Sequence, residues 1–330
     1  MPLVKVSSGL KMHYIVPSSP DPNKPYIDPS RPTVVMLHPR FFDSHFFAPQ
    51  FRDGRLPKAY NVVAIDHHYH GRTEAPLDSK PYDFDLVAKA VLSTMDALKI
   101  KEAHVLGNSL GAQIATVMAM QAPKRVQSLI LIAQNPPVED EENREQFVFL
   151  KESCYECADD GSDQLASDVV HGLHWIYFGD DPCAQSVIDE WVATTKFKPS
   201  NRKLIDKIFS AVLDRQPMDQ KQWDKITCPV LMIHGADDVP APPAVAQQFY
   251  DLLRNADREI HIIDGAPHFL THTHYRQVNP LIEDFLDKVT GVDSKKAIHL
   301  SISQMLQLLP EYNGSLSKKP SIFGRFGIKV

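Results

Sequence analysis

The sequence predicts a doubly wound, mostly parallel α/β sheet with an inserted helical lid. Three observations carry this, the first two being short, continuous apolar runs suited to strands buried on both faces, and amphipathic helical patterns between them. The third is one interruption of that alternation, where residues 135–228 carry helical stripes and no strand-like run.

Taken in order, residues 3–16 read as two short strands around a turn. Val4 and Val6 alternate with polar positions, Ser7-Ser8-Gly9 makes the turn, and Met12, Tyr14 and Val16 resume the alternation. Prolines at 17, 20, 22, 25, 29 and 32 then mark a surface excursion. The buried runs follow at 33–37, 62–65, 103–106, 128–132, 230–233 and 260–263. Between the second and third, Phe84, Val87, Ala88, Val91, Leu92, Met95 and Leu98 recur at helical spacing behind Asp83, a candidate N-cap. Within the interruption, Phe147, Leu150, Cys154 and Cys157 form one stripe, and Leu165, Val169, Val170, Leu173, Ile176 and Tyr177 another. The expected organisation is therefore a core of residues 1–136 and 227–292, a lid of residues 137–226, and a C-terminal extension of residues 293–330. That extension carries one amphipathic set, Ile302, Met305, Leu306 and Leu309, stopped by Pro310.

Composition narrows the function. At 43% hydrophobic and 23% charged, 330 residues supply a sizeable core and exclude global disorder. Lys and Arg number 35 against 41 Asp and Glu, a net charge of −6, which disfavours a nucleic-acid partner. No stretch approaches a membrane span, no signal-peptide core opens the chain, and four cysteines are too few for a disulfide framework. A cytoplasmic protein with a small-molecule substrate is expected.

Chemistry enters at Gly107-Asn108-Ser109-Leu110-Gly111, a G-x-S-x-G pentapeptide that follows the 103–106 run and opens a helical pattern. A sharp strand-to-helix turn strains its central residue, and glycines two before and two after let the backbones approach. Ser109 would stand at the sheet edge, at a helix N-terminus that favours developing negative charge. A serine hydroxyl needs a base, and the base an orienting acid. The order expected for this turn is Ser, acid, His. After the 230–233 run come Asp237 and Asp238, and after the 260–263 run comes His268, with His272 and His274 beyond it.

At this point the chain resembles the α/β-hydrolase superfamily over roughly residues 3–290. The resemblance rests on Leu37-His38 with Asp43-Ser44, on Asp66 through His70-Gly71-Arg72-Thr73, and on 107–111, 235–238 and 265–268. It implies Ser109, Asp238 and His268 as the catalytic residues, with Asp238 matching better than Asp237. It also implies the amides of Leu110 and Arg40 as the oxyanion hole. Two positions depart from the family pattern: Pro39 stands where glycine is usual, and Tyr69 where a small residue is usual. Phe41, Asn108, Trp175 and Phe269 are the candidate pocket residues; residues 175–178 read as lid core first and pocket wall second. Arg40, Phe41 and Phe42 make the mouth bulkier and more cationic than a generic esterase's, which suits an acidic or aromatic substrate.

Several motifs have plainer readings. Cys154, Cys157, His171 and His174 approach a zinc spacing, but the final pair is one residue too tight, and burial on a helix stripe accounts for the cysteines. His67, His68 and His70 read as partly exposed loop histidines rather than a metal cluster. Glu139-Asp140-Glu141-Glu142 reads as a solvated helix start. No metal or organic cofactor is expected. The function implied is a serine hydrolase cleaving an ester, lactone or thioester of a small, largely apolar molecule. Two alternatives remain: carbon–carbon bond hydrolysis or other non-ester chemistry on the same triad, and a small-molecule receptor on a hydrolase scaffold.

Overall fold

The computed structural model describes residues 2–296 apart from Ser8, Pro20, Asp53 and Gly54. The amphipathic set at 302–309 lies outside the described residues. Eight strands form one sheet: β1 (Leu3–Ser7), β2 (Leu10–Ile15), β3 (Thr33–Leu37), β4 (Asn61–Asp66), β5 (Ala103–Asn108), β6 (Val126–Ile132), β7 (Val230–Gly235) and β8 (Arg258–Ile263). Their spatial order is β1-β2-β4-β3-β5-β6-β7-β8. β2 pairs antiparallel with both β1 and β4 and every other pair is parallel, so the sheet is mostly parallel. β3, β4, β5 and β7 are buried along their whole length, as continuous apolar runs require. β8 departs from that expectation. It is an edge strand, and its Ile262 is 42% exposed.

The longer helices are α1 (Phe84–Ala97), α2 (Leu110–Gln121), α3 (Glu141–Ser153), α4 (Ser167–Phe178), α5 (Gln185–Thr194), α6 (Arg202–Leu213), α7 (Pro243–Leu252) and α8 (Tyr275–Thr290). Asp83 caps α1, its carboxylate accepting the Leu86 amide. Helices α3 to α6 all lie between β6 and β7. Asp140 caps α3 as the acidic run predicts, but Glu139 is not solvated: it is buried, with Oε1 2.9 Å from Arg215 Nη2. Cys154 is buried just past α3, whereas Cys157 is exposed, so a shared buried stripe accounts only for the first. Among the described residues, no cluster of His, Cys, Asp and Glu could hold a metal ion. Nor is any described helix long and apolar enough to cross a membrane.

Two features set where the carboxyl ends of the strands meet. The first is main-chain contact across β3, β5 and α2. A Cβ on Gly111 would fall 1.9 Å from the Leu37 carbonyl oxygen, and one on Gly107 2.3 Å from the Gly111 oxygen. Only glycine permits this approach. The second is a buried histidine group beneath the loops after β3 and β4. The rings of His38 and His67 stack with centroids 3.8 Å apart, and that of His70 lies 4.4 Å from His67. His67 and His70 are thus buried, not partly exposed, because the chain folds back over them from Tyr69 to Thr73.

Burial keeps these rings neutral, and hydrogen bonds fix their tautomers. His38 Nδ1–H donates to the Pro39 oxygen at 2.8 Å, leaving Nε2 to accept the His67 amide at 3.3 Å. His67 Nε2–H donates to the His38 oxygen at 3.0 Å, leaving Nδ1 to accept from Tyr82 Oη at 3.2 Å. Burial, and then mutual repulsion, push His38 and His70 down to about 3. Burial likewise holds His67 well below its usual range. Next to them Asp66 stays ionised: burial opposes this, but a 2.7 Å contact to His13 Nδ1 and a 2.8 Å bond from the Arg72 amide outweigh it.

Gly111→Ala should destabilise the fold by at least about 3 kcal/mol, because backbone and not a flexible side chain must move. Urea unfolding checks this, and an unchanged midpoint would refute the contact. A pH dependence also follows. The unfolded chain binds protons on its histidines below about pH 6.5, whereas folded His38, His67 and His70 stay neutral. Stability is therefore full above that pH and falls on acidification at about 1.4 kcal/mol per pH unit for each such ring. Melting temperatures that hold level from pH 7.5 to 5 would contradict it.

Candidate active site

Ser109 occupies the turn between β5 and α2 with φ 53° and ψ −113°. Such a conformation costs a non-glycine residue about 1–3 kcal/mol and persists only where its surroundings impose it. Here the Ser109 amide donates to the Ile132 oxygen at 2.9 Å, and the flanking glycines hold α2 against β3. The result is a hydroxyl held at the carboxyl edge of the sheet, 4% exposed.

Asp238 follows β7 and His268 follows β8, and those two loops touch. A Cβ on Gly235 would lie 2.1 Å from the Ala266 oxygen, so glycine lets the acid-bearing and histidine-bearing loops pack together. His268 Nδ1–H donates to Asp238 Oδ2 at 2.8 Å, which leaves Nε2 to accept from Ser109 Oγ, also at 2.8 Å. The choice between adjacent acids has a physical basis. Asp238 is buried, its Oδ1 accepting the Ala241 amide at 2.9 Å, whereas Asp237 is exposed. His234 adds a further contact to Asp238, with Nε2 3.2 Å from Oδ2 and 2.6 Å from the Ala241 oxygen. Burial lowers the His234 pKa, so it acts as a neutral donor. No motif marks His234 in the sequence, although its place near the end of β7 is a usable signal.

The amides of Leu110, first in α2, and of Arg40 donate to no acceptor among the described residues. Arg40 and Phe41 form a turn after β3 in which Phe41 takes φ 74°. Pro39 is accommodated because its missing N–H precedes the Arg40 amide. Tyr69 also takes a positive φ, 70°, and its ring packs on Tyr82.

The pocket candidates separate. Phe41 is buried in an aromatic group with Tyr177, Trp191, Phe197 and Phe209. Phe269 is buried, stacks on Tyr177 at 4.7 Å, and donates its amide to the Tyr177 oxygen at 2.8 Å. Asn108 is spent on structure: Nδ2 donates to the Ile132 oxygen and Oδ1 accepts from Thr271. Trp175 is half-buried on α4, whereas Tyr177 is buried with its ring 5.5 Å from that of His268. Asn135, unmarked by any motif, donates from Nδ2 to Ser109 Oγ at 3.4 Å.

The Arg40 side chain is 4% exposed, with its guanidinium carbon 4.9 Å from the centre of the Phe147 ring and 6.0 Å from that of Phe209. Burial lowers its pKa, with Tyr177 and Glu139 opposing that shift. Burial also pushes the Tyr177 hydroxyl up to about 12, with Arg40 opposing.

Comparison with known proteins bears on the family and the fold. The alpha/beta hydrolase fold family matches residues 32–156, and the serine aminopeptidase S33 family matches residues 199–273. A non-heme chloroperoxidase of Streptomyces lividans is 28% identical over 68% of this chain and 81% of its own length. The 2-hydroxymuconate semialdehyde hydrolase of Pseudomonas sp. strain CF600 is 22% identical over 70% of this chain and 78% of its own. The crystal structure of the enol-lactonase from Burkholderia xenovorans LB400 superposes with a TM-score of 0.68 at 20% identity, covering 86% of this chain and 99% of that one. Sequence families, relatives and the arrangement of the sheet agree: this chain belongs to the α/β-hydrolase superfamily and is an enzyme of the hydrolase class.

Proposed function

We propose that the enzyme cleaves a carboxylic ester, lactone or thioester of a small, largely apolar molecule through an acyl-enzyme. The observation that carries this reading is the continuous chain from Ser109 Oγ through His268 to Asp238, with both links at 2.8 Å. Ser109 attacks the carbonyl carbon while His268 Nε2 takes its proton, and Asp238 holds the ring with Nδ1–H toward itself. The negative charge gathering on the carbonyl oxygen meets the amides of Leu110 and Arg40, two donors with no other acceptor among the described residues. His268 then protonates the leaving group and draws a proton from water, which hydrolyses the acyl-enzyme. Residues 137–226 act as the cover, supplying Tyr177, Phe147 and Phe209 as apolar walls and keeping bulk water from the intermediate.

A second reading has its own support. Among the relatives is a 2-hydroxymuconate semialdehyde hydrolase, and His268 also suits proton transfer to carbon in a β-dicarbonyl-like compound. Ester and diketone turnover by one purified sample separates the two.

A fluorophosphonate should label Ser109, and Ser109→Ala should abolish ester turnover with the melting temperature held; unlabelled wild-type protein would refute the acyl-enzyme. Asp238→Asn should lower kcat by about 10³- to 10⁴-fold through loss of the correct histidine tautomer. Asp237→Asn should stay within about twofold of wild type, and equal losses in both would overturn the assignment of the acid.

A further inference from the structure

Arg40 is buried without the partner that a buried cation requires. Its Nε and Nη1 lie out of solvent and bond to nothing among the described residues. The phenyl faces of Phe41, Phe147 and Phe209 surround the guanidinium and attract its charge, but they offer its N–H groups no lone pair. Glu139 does not fill the gap. Its Oε1 is taken by Arg215 Nη2, and its Oε2 bonds to nothing among the described residues. Gln134 is also buried with both side-chain polar atoms unmatched. Arg40, Arg215 and Glu139 together thus enclose two positive charges and one negative charge. A buried charge left so is strongly unfavourable unless something supplies its complement.

The position of Arg40 says where that complement comes from. The main chain of Leu37 and His38 lies against Gly111 of the nucleophile turn, and Arg40 follows two residues later. The Phe41 ring lies 5.8 Å from the guanidinium carbon and 6.2 Å from the ring of Tyr177, which in turn lies 5.5 Å from that of His268. The rings of Phe41 and Tyr177 thus link the orphaned donors to the histidine of the triad.

We infer that the substrate carries a carboxylate a short distance from the bond that is cleaved, and that the Arg40 guanidinium binds it. This rests on the hydrolase reading of the same site. The aromatic walls hold the apolar body, and the fork of N–H groups on Arg40 receives the two carboxylate oxygens. Phe147 and Phe209 keep water from that pair, which strengthens it.

Monoethyl and diethyl esters of succinic, glutaric and adipic acids test this. The wild-type enzyme should prefer the carboxylate-bearing monoester of at least one pair by ten- to a hundredfold in kcat/KM, the range expected for a charged hydrogen bond. Arg40→Met keeps the main-chain amide and should collapse that preference to within about threefold, with Arg40→Lys falling between. Should Arg40→Met fail to fold, thermal shifts of the Ser109→Ala protein with succinate, glutarate and adipate replace it. At least one dianion should stabilise the protein where its diamide does not. No preference for any monoester, an unchanged preference in Arg40→Met, or equal shifts from dianions and diamides would overturn the inference. Fluorophosphonate labelling of Ser109 judges the hydrolase reading separately: labelled protein with no monoester preference sinks only the Arg40 assignment, whereas unlabelled protein sinks the reading beneath it.

Discussion

The approach of main chain to main chain at the nucleophile turn governs the rest of the structure. Gly107 and Gly111 bring β5, α2 and the end of β3 to separations that no side chain could share. That approach holds Ser109 at φ 53° and brings the loop carrying Arg40 alongside it. Gly235 repeats the device one strand pair away, where it lets the loops of Asp238 and His268 touch. Three distant segments thus meet with hydrogen-bond accuracy because glycine removes the atoms that would keep them apart. The strain at Ser109 is sustained by this packing and is part of what exposes the hydroxyl to its base.

Around that framework, polar groups are satisfied in a graded way. Asp238 is held by His268, by the Ala241 amide and by neutral His234, so its carboxylate is fixed before any substrate arrives. Asp66 plays a similar part on the other side, accepting from the Ser44 and Arg72 amides and contacting His13. It fixes the loops after β3 and β4, and with them the turn that carries Arg40. The neutral histidines between fill a buried space where a charged side chain would need a counterion. Pro39 belongs to this arrangement, since its carbonyl sets the tautomer of His38.

Much of this was legible in the sequence, for a physical reason. Buried parallel strands are apolar along their length, so the six runs from 33–37 to 260–263 stood out, and the turn glycines marked the nucleophile. What escaped was whatever depends on distant neighbours. An edge strand and a central strand can share one apolar run, so the exposure of β8 had no signal at 260–263. Asp237 and Asp238 are chemically equivalent as neighbours in the chain, so only the family resemblance favoured Asp238, the one the fold buries. Arg40, Glu139 and Arg215 are far apart along the chain, and neither the mouth reading of Arg40 nor the solvated-helix reading of Glu139 foretells their burial together. His67 and His70 followed a strand as loop residues do, and only the fold-back from Tyr69 to Thr73 shows them to be interior.

The helices between β6 and β7 are joined to the site by main-chain bonds as well as by packing. The indole of Trp191 donates to the Phe41 oxygen at 2.8 Å, and the Phe269 amide donates to the Tyr177 oxygen at 2.8 Å. His268 beside them is only 1% exposed. Under the proposed reading of these helices as a cover, entry and product escape are local opening events, and their free energy is set by these two bonds and the aromatic contacts beside them. On that reading the ceiling on turnover is the breathing rate of the roof, and faster chemistry beneath it goes unseen in the steady state.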